Sequence, residues 1–167
     1  MAFHLTQLNI ALPREPLNSP LLLEFVTQLD PVNRAADAAP GFVWRLQTED
    51  GNATAIKAFG DDALIVNMSV WESLEALRAY VFSNRAHLGV LRRRREWFQR
   101  LGEAHMVLWW TEAGRTPTVE QAERRLEVLR RLGPSRAAFT FRQHFPAPGV
   151  DDRPRATRDD RQLCPAG

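Results

Sequence analysis

The run at residues 64–71, LIVNMSVW, constrains the fold more than any other stretch of the chain. It is nearly all apolar, with Asn67 and Ser69 on one face beside Ile65 and Trp71, a pattern that suits a central strand covered on both sides. A helical region follows at once. On a helix turning about 100° per residue, Trp97, Val90, Leu101, Arg94, His87, Phe98 and Leu91 fall within an arc of about 120°, the width of a core-facing stripe. His87 and Arg94 thus stand two turns apart in the middle of an apolar face. A histidine and a guanidinium carried inward are costly unless paired, and a cavity holding a polar ligand is one way to pair them.

The rest of the chain reads as one soluble domain. Its 167 residues, 44% apolar and 25% charged, suffice for a real core. The formal net charge is only +2, and the run Arg92 to Arg95 has acidic neighbours, which argues against nucleic acid as a partner. The lone cysteine, Cys164, excludes an internal disulfide framework and a multi-cysteine metal site. No basic segment precedes an apolar one at the N-terminus, and no apolar run approaches the roughly 20 residues of a membrane span. A cytoplasmic protein with no membrane partner is expected.

In chain order, residues 3–11 (FHLTQLNIA) form a strand on which Gln7 and Asn9 share a face; they bond backbone or water at a strand edge, or a ligand. Ser19 and Pro20 open a helix that buries Leu22, Phe25, Val26 and Leu29. Asp30 and Pro31 either cap a fresh turn or kink it, and Asn33 points inward if the phase survives. Pro40 and Gly41 end it. Residues 42–48 form a strand with Phe42, Trp44 and Leu46 on one face and Val43, Arg45 and Gln47 on the other, Arg45 snorkelling or meeting a carboxylate. Residues 49–62 read as a surface loop; Asp50, Asp61 and Asp62 lack the twelve-residue calcium frame. Ser73 caps a helix to about Phe82, and Ser83 with Asn84 caps a second one carrying His87 and Arg94. Residues 104–111 form another buried strand. Thr118 with Gln121 is a capping box for a helix burying Val119, Ala122, Leu126 and Leu129, stopped by Gly133 and Pro134. Residues 137–145 are expected as a last strand. The domain spans residues 1–146, and residues 147–167 form a disordered tail rich in proline, aspartate and arginine. The order is that of an α+β domain with its helices on one side of a mainly antiparallel sheet.

The combination of VNMSVWES, the helix H..VLRRRREWF, VLWW and the downstream PTVEQAERRLEVLRRLGP resembles the domain of unknown function 3291 family, over residues 3 to about 146. That family is similar to the dimeric α/β-barrel superfamily, whose ferredoxin-like protomers are α/β sandwiches that pair sheet to sheet and keep a pocket between sheet and helices. The resemblance implies a homodimer with one pocket per subunit, and pairing would account for strands that are apolar on both faces. Superfamily activities include cofactor-free oxygenation of aromatic polyketides, haem degradation, isomerisation and non-catalytic roles. In the haem-degrading group a strand-one asparagine, a strand-ending tryptophan and a helical histidine act together; Asn9, Trp71 and His87 occupy comparable elements, although the Trp71 to His87 stretch is longer here.

The polar pair on an apolar helix face leads to the expectation of a small-molecule pocket protein, and the resemblance implies a cofactor-independent monooxygenase or isomerase acting on an aromatic or polyketide-like substrate. His87 is the acid or base, and Arg94, Asn67 and Asn9 hold an oxyanion or carboxylate. Asn33, Trp44, Trp71 and Trp97 are further candidates to line the pocket, against a core or interface role for the tryptophans. No metal or other cofactor is expected. The alternatives are a non-catalytic dimeric binding or structural protein, in which the same residues form a satisfied buried network, and a haem-binding monooxygenase-like protein.

Overall fold

Strand β1 (Phe3–Ala11) is the strand around which the sheet is assembled, because it is paired along both edges. The computed structural model describes residues 2–49, 51–54, 56 and 58–150. On one side β1 meets β3 (Ile65–Trp71), antiparallel, from Leu5↔Trp71 to Ala11↔Ile65; on the other it meets β4 (Met106–Glu112), from Phe3↔Glu112 to Asn9↔Met106. The short β2 (Phe42–Arg45) pairs antiparallel with β3, giving the order β2-β3-β1-β4. Helix α1 (Pro20–Asp37) joins β1 to β2, while α2 (Leu74–Ser83) and α3 (Arg85–Trp97) join β3 to β4. This is the ferredoxin-like arrangement, with its second crossover helix broken in two.

The helix starts lie where short-range chemistry puts them. Ser19, Ser73 and Asn84 each accept a hydrogen bond from the amide three residues on, and Pro20 occupies the first turn, where its missing N–H is no loss. Pro31 sits within α1 without ending it, so the phase carries through and Asn33 is half-buried. Thr118 and Gln121 make the reciprocal capping box of α4 (Val119–Leu132), which Gly133 terminates in the left-handed region at φ 73°.

Three expectations are corrected. First, the helices are not all on one side. Ala122, Leu126 and Leu129 of α4 pack with Leu8, Ile10, Val66, Met68, Val107 and Trp109, the sheet face opposite the one that α2 covers. The apolar character of both faces is therefore met within one chain, and the motive first offered for sheet-to-sheet pairing falls away. Second, β2 carries a register shift between Phe42 and Trp44: Phe42 stands opposite Trp71 and Trp44 opposite Val70, which puts these two aromatics on opposite faces. Third, residues 137–145 are not a strand. Phe139 exchanges backbone hydrogen bonds of 2.8 and 2.9 Å with Leu108 and is fully buried, but Thr140 then turns the chain, its hydroxyl accepting from the Gln143 N–H (3.1 Å) and its own N–H donating to the Gln143 carbonyl (3.2 Å). The expected tail falls largely on residues 151–167, outside the described residues. No helix among the described residues is long and apolar enough to cross a membrane.

Candidate functional site

The sheet face under α1, α2 and α3 carries two separate apolar clusters. One gathers Leu5, Trp71, Leu74, Leu77, Tyr80 and Leu108; the other gathers Leu22, Phe25 and Trp97, with Ile65 against them. Between the two, the antiparallel register sets Gln7 opposite Ser69 and Asn9 opposite Asn67. Alternation by two places all four side chains on this one face, so polar rungs interrupt an apolar floor. Arg45 lies opposite Ser69 on its other side and extends that rung.

Hydrogen bonds divide these groups into fixed and free. The Trp71 indole Nε1 donates to Ser69 Oγ (2.9 Å), and Ser69 Oγ donates to Gln7 Oε1 (3.0 Å). Asn9 Oδ1 is buried and has no partner among the described residues. Asn67 is exposed although it sits mid-strand in an interior strand, so the helices leave the floor open at that point. Arg45 is held at the end of the Gln7–Ser69 rung: its guanidinium donates to Asp37 (2.7 and 3.2 Å) and to the Gly51 carbonyl (2.7 Å), to which Asn33 Nδ2 also reaches at 3.5 Å.

His87 enters from the α2–α3 junction. Its backbone N–H donates to the Asn84 cap, and its ring Nδ1 lies 3.1 Å from the Val81 carbonyl. A carbonyl only accepts, so Nδ1 carries the proton and Nε2 keeps its lone pair. Burial pushes the imidazole below the usual histidine range, against the opposing pull of the Val81 bond. The ring packs on Tyr80 at 5.0 Å, and Tyr80 in turn stacks on Trp71 at 5.1 Å. The Tyr80 hydroxyl donates to the Val32 carbonyl (3.1 Å). Its pKa is pushed up to about 12 by burial, with Asp37 adding to the rise and Arg45 opposing it.

With this geometry in view, the chain matches the domain of unknown function DUF3291 over residues 4–156. It belongs to that family. No curated protein matches the DUF3291 chain in sequence. In structure it is similar to SnoaB, a cofactor-independent oxygenase from Streptomyces nogalater, at 17% identity and a TM-score of 0.45, covering 69% of this chain and 97% of SnoaB. It is also similar to a dabb family protein with a ferredoxin-like fold from Mesorhizobium loti, at 12% identity and a TM-score of 0.39, covering 69% of this chain and 98% of that one. Likenesses of this size leave the chemistry to each protein's own residues.

The structure puts Asn9, Asn67 and Trp71 on one sheet face, with Trp71 itself in the core at 1% exposure, and sets Asn33 at the margin. It removes three other candidates. Arg94 is exposed; Arg93 instead makes the ion pairs with Glu24 and Glu96, its guanidinium 4.8 Å from the Trp97 ring. The reason is that α3 leans on α1, packing Val90 and Trp97 against Phe25 and turning the largely exposed Arg93 toward Glu24, while Arg94 lies about 100° around from Arg93. Trp97 is core, 2% exposed. Trp44 packs across the sheet, beneath α4. Tyr80 is not noted in the sequence, and Gln7 and Ser69, although placed beside Asn9 and Asn67, are not among its site candidates. Their shared-face spacing was visible, but the register that aligns them was not.

Two open surface grooves lie elsewhere. One of about 550 Å³ is lined by Pro40, Gly41, Glu72, Ala76 and Tyr80; another of about 730 Å³ is lined by Ile10, Phe59, Leu64, Glu123 and Arg130. His87 lines neither. Among the described residues no three His, Cys, Asp or Glu side chains gather as a metal site. A haem held by His87 against Trp71 and Asn9 does not fit the residues present, because Tyr80 contacts both the Trp71 and the His87 ring and a porphyrin would have to displace it.

Proposed function

We propose that this DUF3291 domain is a small-molecule pocket protein whose ligand lies across the Gln7–Ser69 and Asn9–Asn67 rungs. One observation carries the reading: the Asn9 and Asn67 carboxamides lie opposite each other on an open floor between two apolar clusters, with the Asn9 oxygen unpartnered. Buried or half-buried amides are normally satisfied by protein or water, and a buried amide oxygen without a partner beside an exposed carboxamide suits a ligand that supplies one. The ligand is neutral and flat. Arg94 points away, and Arg45 is already neutralised by Asp37, so neither is free to clamp a carboxylate.

Within this reading the chemistry is that of a cofactor-independent monooxygenase or isomerase acting on an aromatic, polyketide-like substrate. His87, kept neutral with Nε2 as its basic atom, supplies a base at neutral pH. A non-catalytic binding protein is the competing reading. It is favoured by the tie of His87 to Val81 and by Tyr80 standing against its ring. Oxygen uptake with 1,8-dihydroxyanthrone, without added flavin or metal, separates the two. Uptake lost in Asn67→Leu and His87→Gln supports catalysis; quenching of tryptophan fluorescence without uptake supports binding alone. Neither signal would remove the pocket.

The homodimer and a cytoplasmic setting belong to the same proposal. With α4 covering its own sheet, the pairing surface is the outer edge of β2, an end strand of the sheet, where Val43 is 41% exposed. Light scattering at micromolar concentration should give twice 19.0 kDa. The mass of one chain would remove the dimer and leave the cleft untouched.

A further inference from the structure

We infer that Gln7 determines what the cleft accepts: it offers its carboxamide N–H to the ligand, which must therefore carry a carbonyl-type acceptor at that point. This deepens the small-molecule reading and rests on it. The relay Trp71, Ser69, Gln7 has a direction. An indole Nε1 can only donate, so the first link runs from Trp71 to Ser69 (2.9 Å). Ser69 then has its own proton to place, and Gln7 Oε1 lies 3.0 Å away. Reversing the Gln7 amide would bring Nε2 to Ser69 and leave the Ser69 proton without an acceptor among the described residues, so the orientation with Oε1 inward satisfies one more buried group.

With its oxygen engaged, Gln7 has Nε2 left over. That nitrogen meets no acceptor among the described residues; Gln7 is 8% exposed, and its nitrogen, unlike the Asn9 oxygen, is not fully enclosed. A bound carbonyl can take the place of water on that N–H. Asn9 and Asn67 on the next rung carry no such tie and can rotate to suit either a donor or an acceptor. Gln7 is thus the one carboxamide of the floor with a set polarity. Because the charged end of the rung, Arg45, is occupied by Asp37 and Gly51, the acceptor it selects is neutral: a ketone, quinone, lactone or amide oxygen.

The test compares 1-tetralone with 1-tetralol, which differ in a ketone against a hydroxyl, by tryptophan fluorescence titration. The wild type should bind the ketone about fivefold to tenfold more tightly, the worth of one neutral hydrogen bond. Gln7→Glu, which presents only acceptors, should reverse the order, and Ser69→Ala, which frees the amide to turn, should bring the ratio near one. A wild type that prefers the alcohol, or a ratio unmoved by Ser69→Ala, overturns the inference. If neither compound binds, the pocket reading fails, and amide NMR judges the relay by itself: Ser69→Ala must shift both the Trp71 indole and the Gln7 carboxamide signals. Signals that stay in place would overturn the set polarity whatever binds.

Discussion

Asn9 and Asn67 face each other across the β1–β3 pairing, and the Asn9 oxygen is buried there without a hydrogen-bond partner among the described residues. An unsatisfied buried acceptor costs about 1–3 kcal/mol. Asn9→Leu, close in shape, should therefore raise the melting temperature by a few degrees while abolishing ligand-induced fluorescence changes. A variant that melts lower and still binds would contradict the assignment of Asn9 to the cleft floor.

Tyr80 is the sole tyrosine of the chain, so its ionisation can be followed directly by phenolate absorbance near about 295 nm. The transition should be centred at about 12 in the folded protein. The sign for stability follows. The unfolded chain releases this proton from about pH 10, which the fold resists, so stability is intact below that value and falls as pH rises from about 10 towards 12. A spectroscopic midpoint at the ordinary tyrosine value would show that Tyr80 is not enclosed between Trp71 and His87.

His87 acts in the opposite pH range. Its folded pKa lies below the ordinary value of about 6.5, so the unfolded state takes up a proton first as pH falls. The stability it contributes is complete above that value and is lost as pH drops below it. Between about pH 7.5 and about pH 5 the wild type should lose more of its melting temperature than His87→Gln does. Equal losses would mean an imidazole in water. Arg94→Met, by contrast, should leave melting unchanged, since the exposed Arg94 is outside the ion pairs that Arg93 makes.

Gly41 has φ 76°, and a Cβ built there would approach Ala76 Cβ to 2.6 Å. Its carbonyl also accepts the Glu72 amide (2.8 Å), tying the start of β2 to the end of β3. Gly41→Ala combines left-handed strain with a clash and should cost about 2 kcal/mol or more, read as a lower urea midpoint at unchanged slope.

What could be read from sequence was what depends on neighbours a few residues away. The caps at Ser19, Ser73, Asn84 and Thr118 were legible because the side chain and the amide it serves are close along the chain, and β1, β3 and β4 announced themselves by composition. The illegible features depend on distant partners. Whether Arg93 or Arg94 is paired depends on Glu24 of α1, and which face Trp44 takes depends on a register shift against β3. Likewise α4 had an unmistakable apolar side, but nothing local said which face of the sheet it would cover. The candidate site was legible to the same degree: Asn9, Asn67 and Trp71 were found as individual residues, while Gln7 and Ser69 acquire meaning only through the pairing that aligns them.

The interruption at Asn84 has an architectural consequence. A continuous helix from Leu74 to Trp97 would be a straight rod of roughly 36 Å, able to lie over one apolar cluster and bound to a single direction. Broken at Asn84, whose side chain caps the second segment, it becomes two independent shutters. The first closes over Trp71 and Leu5, the second swings to Phe25 on α1, and the sill between them is where Asn67 meets solvent. In the proposed reading the opening follows the angle at this one joint, so its width can be re-cut at Asn84 without altering any residue of the floor.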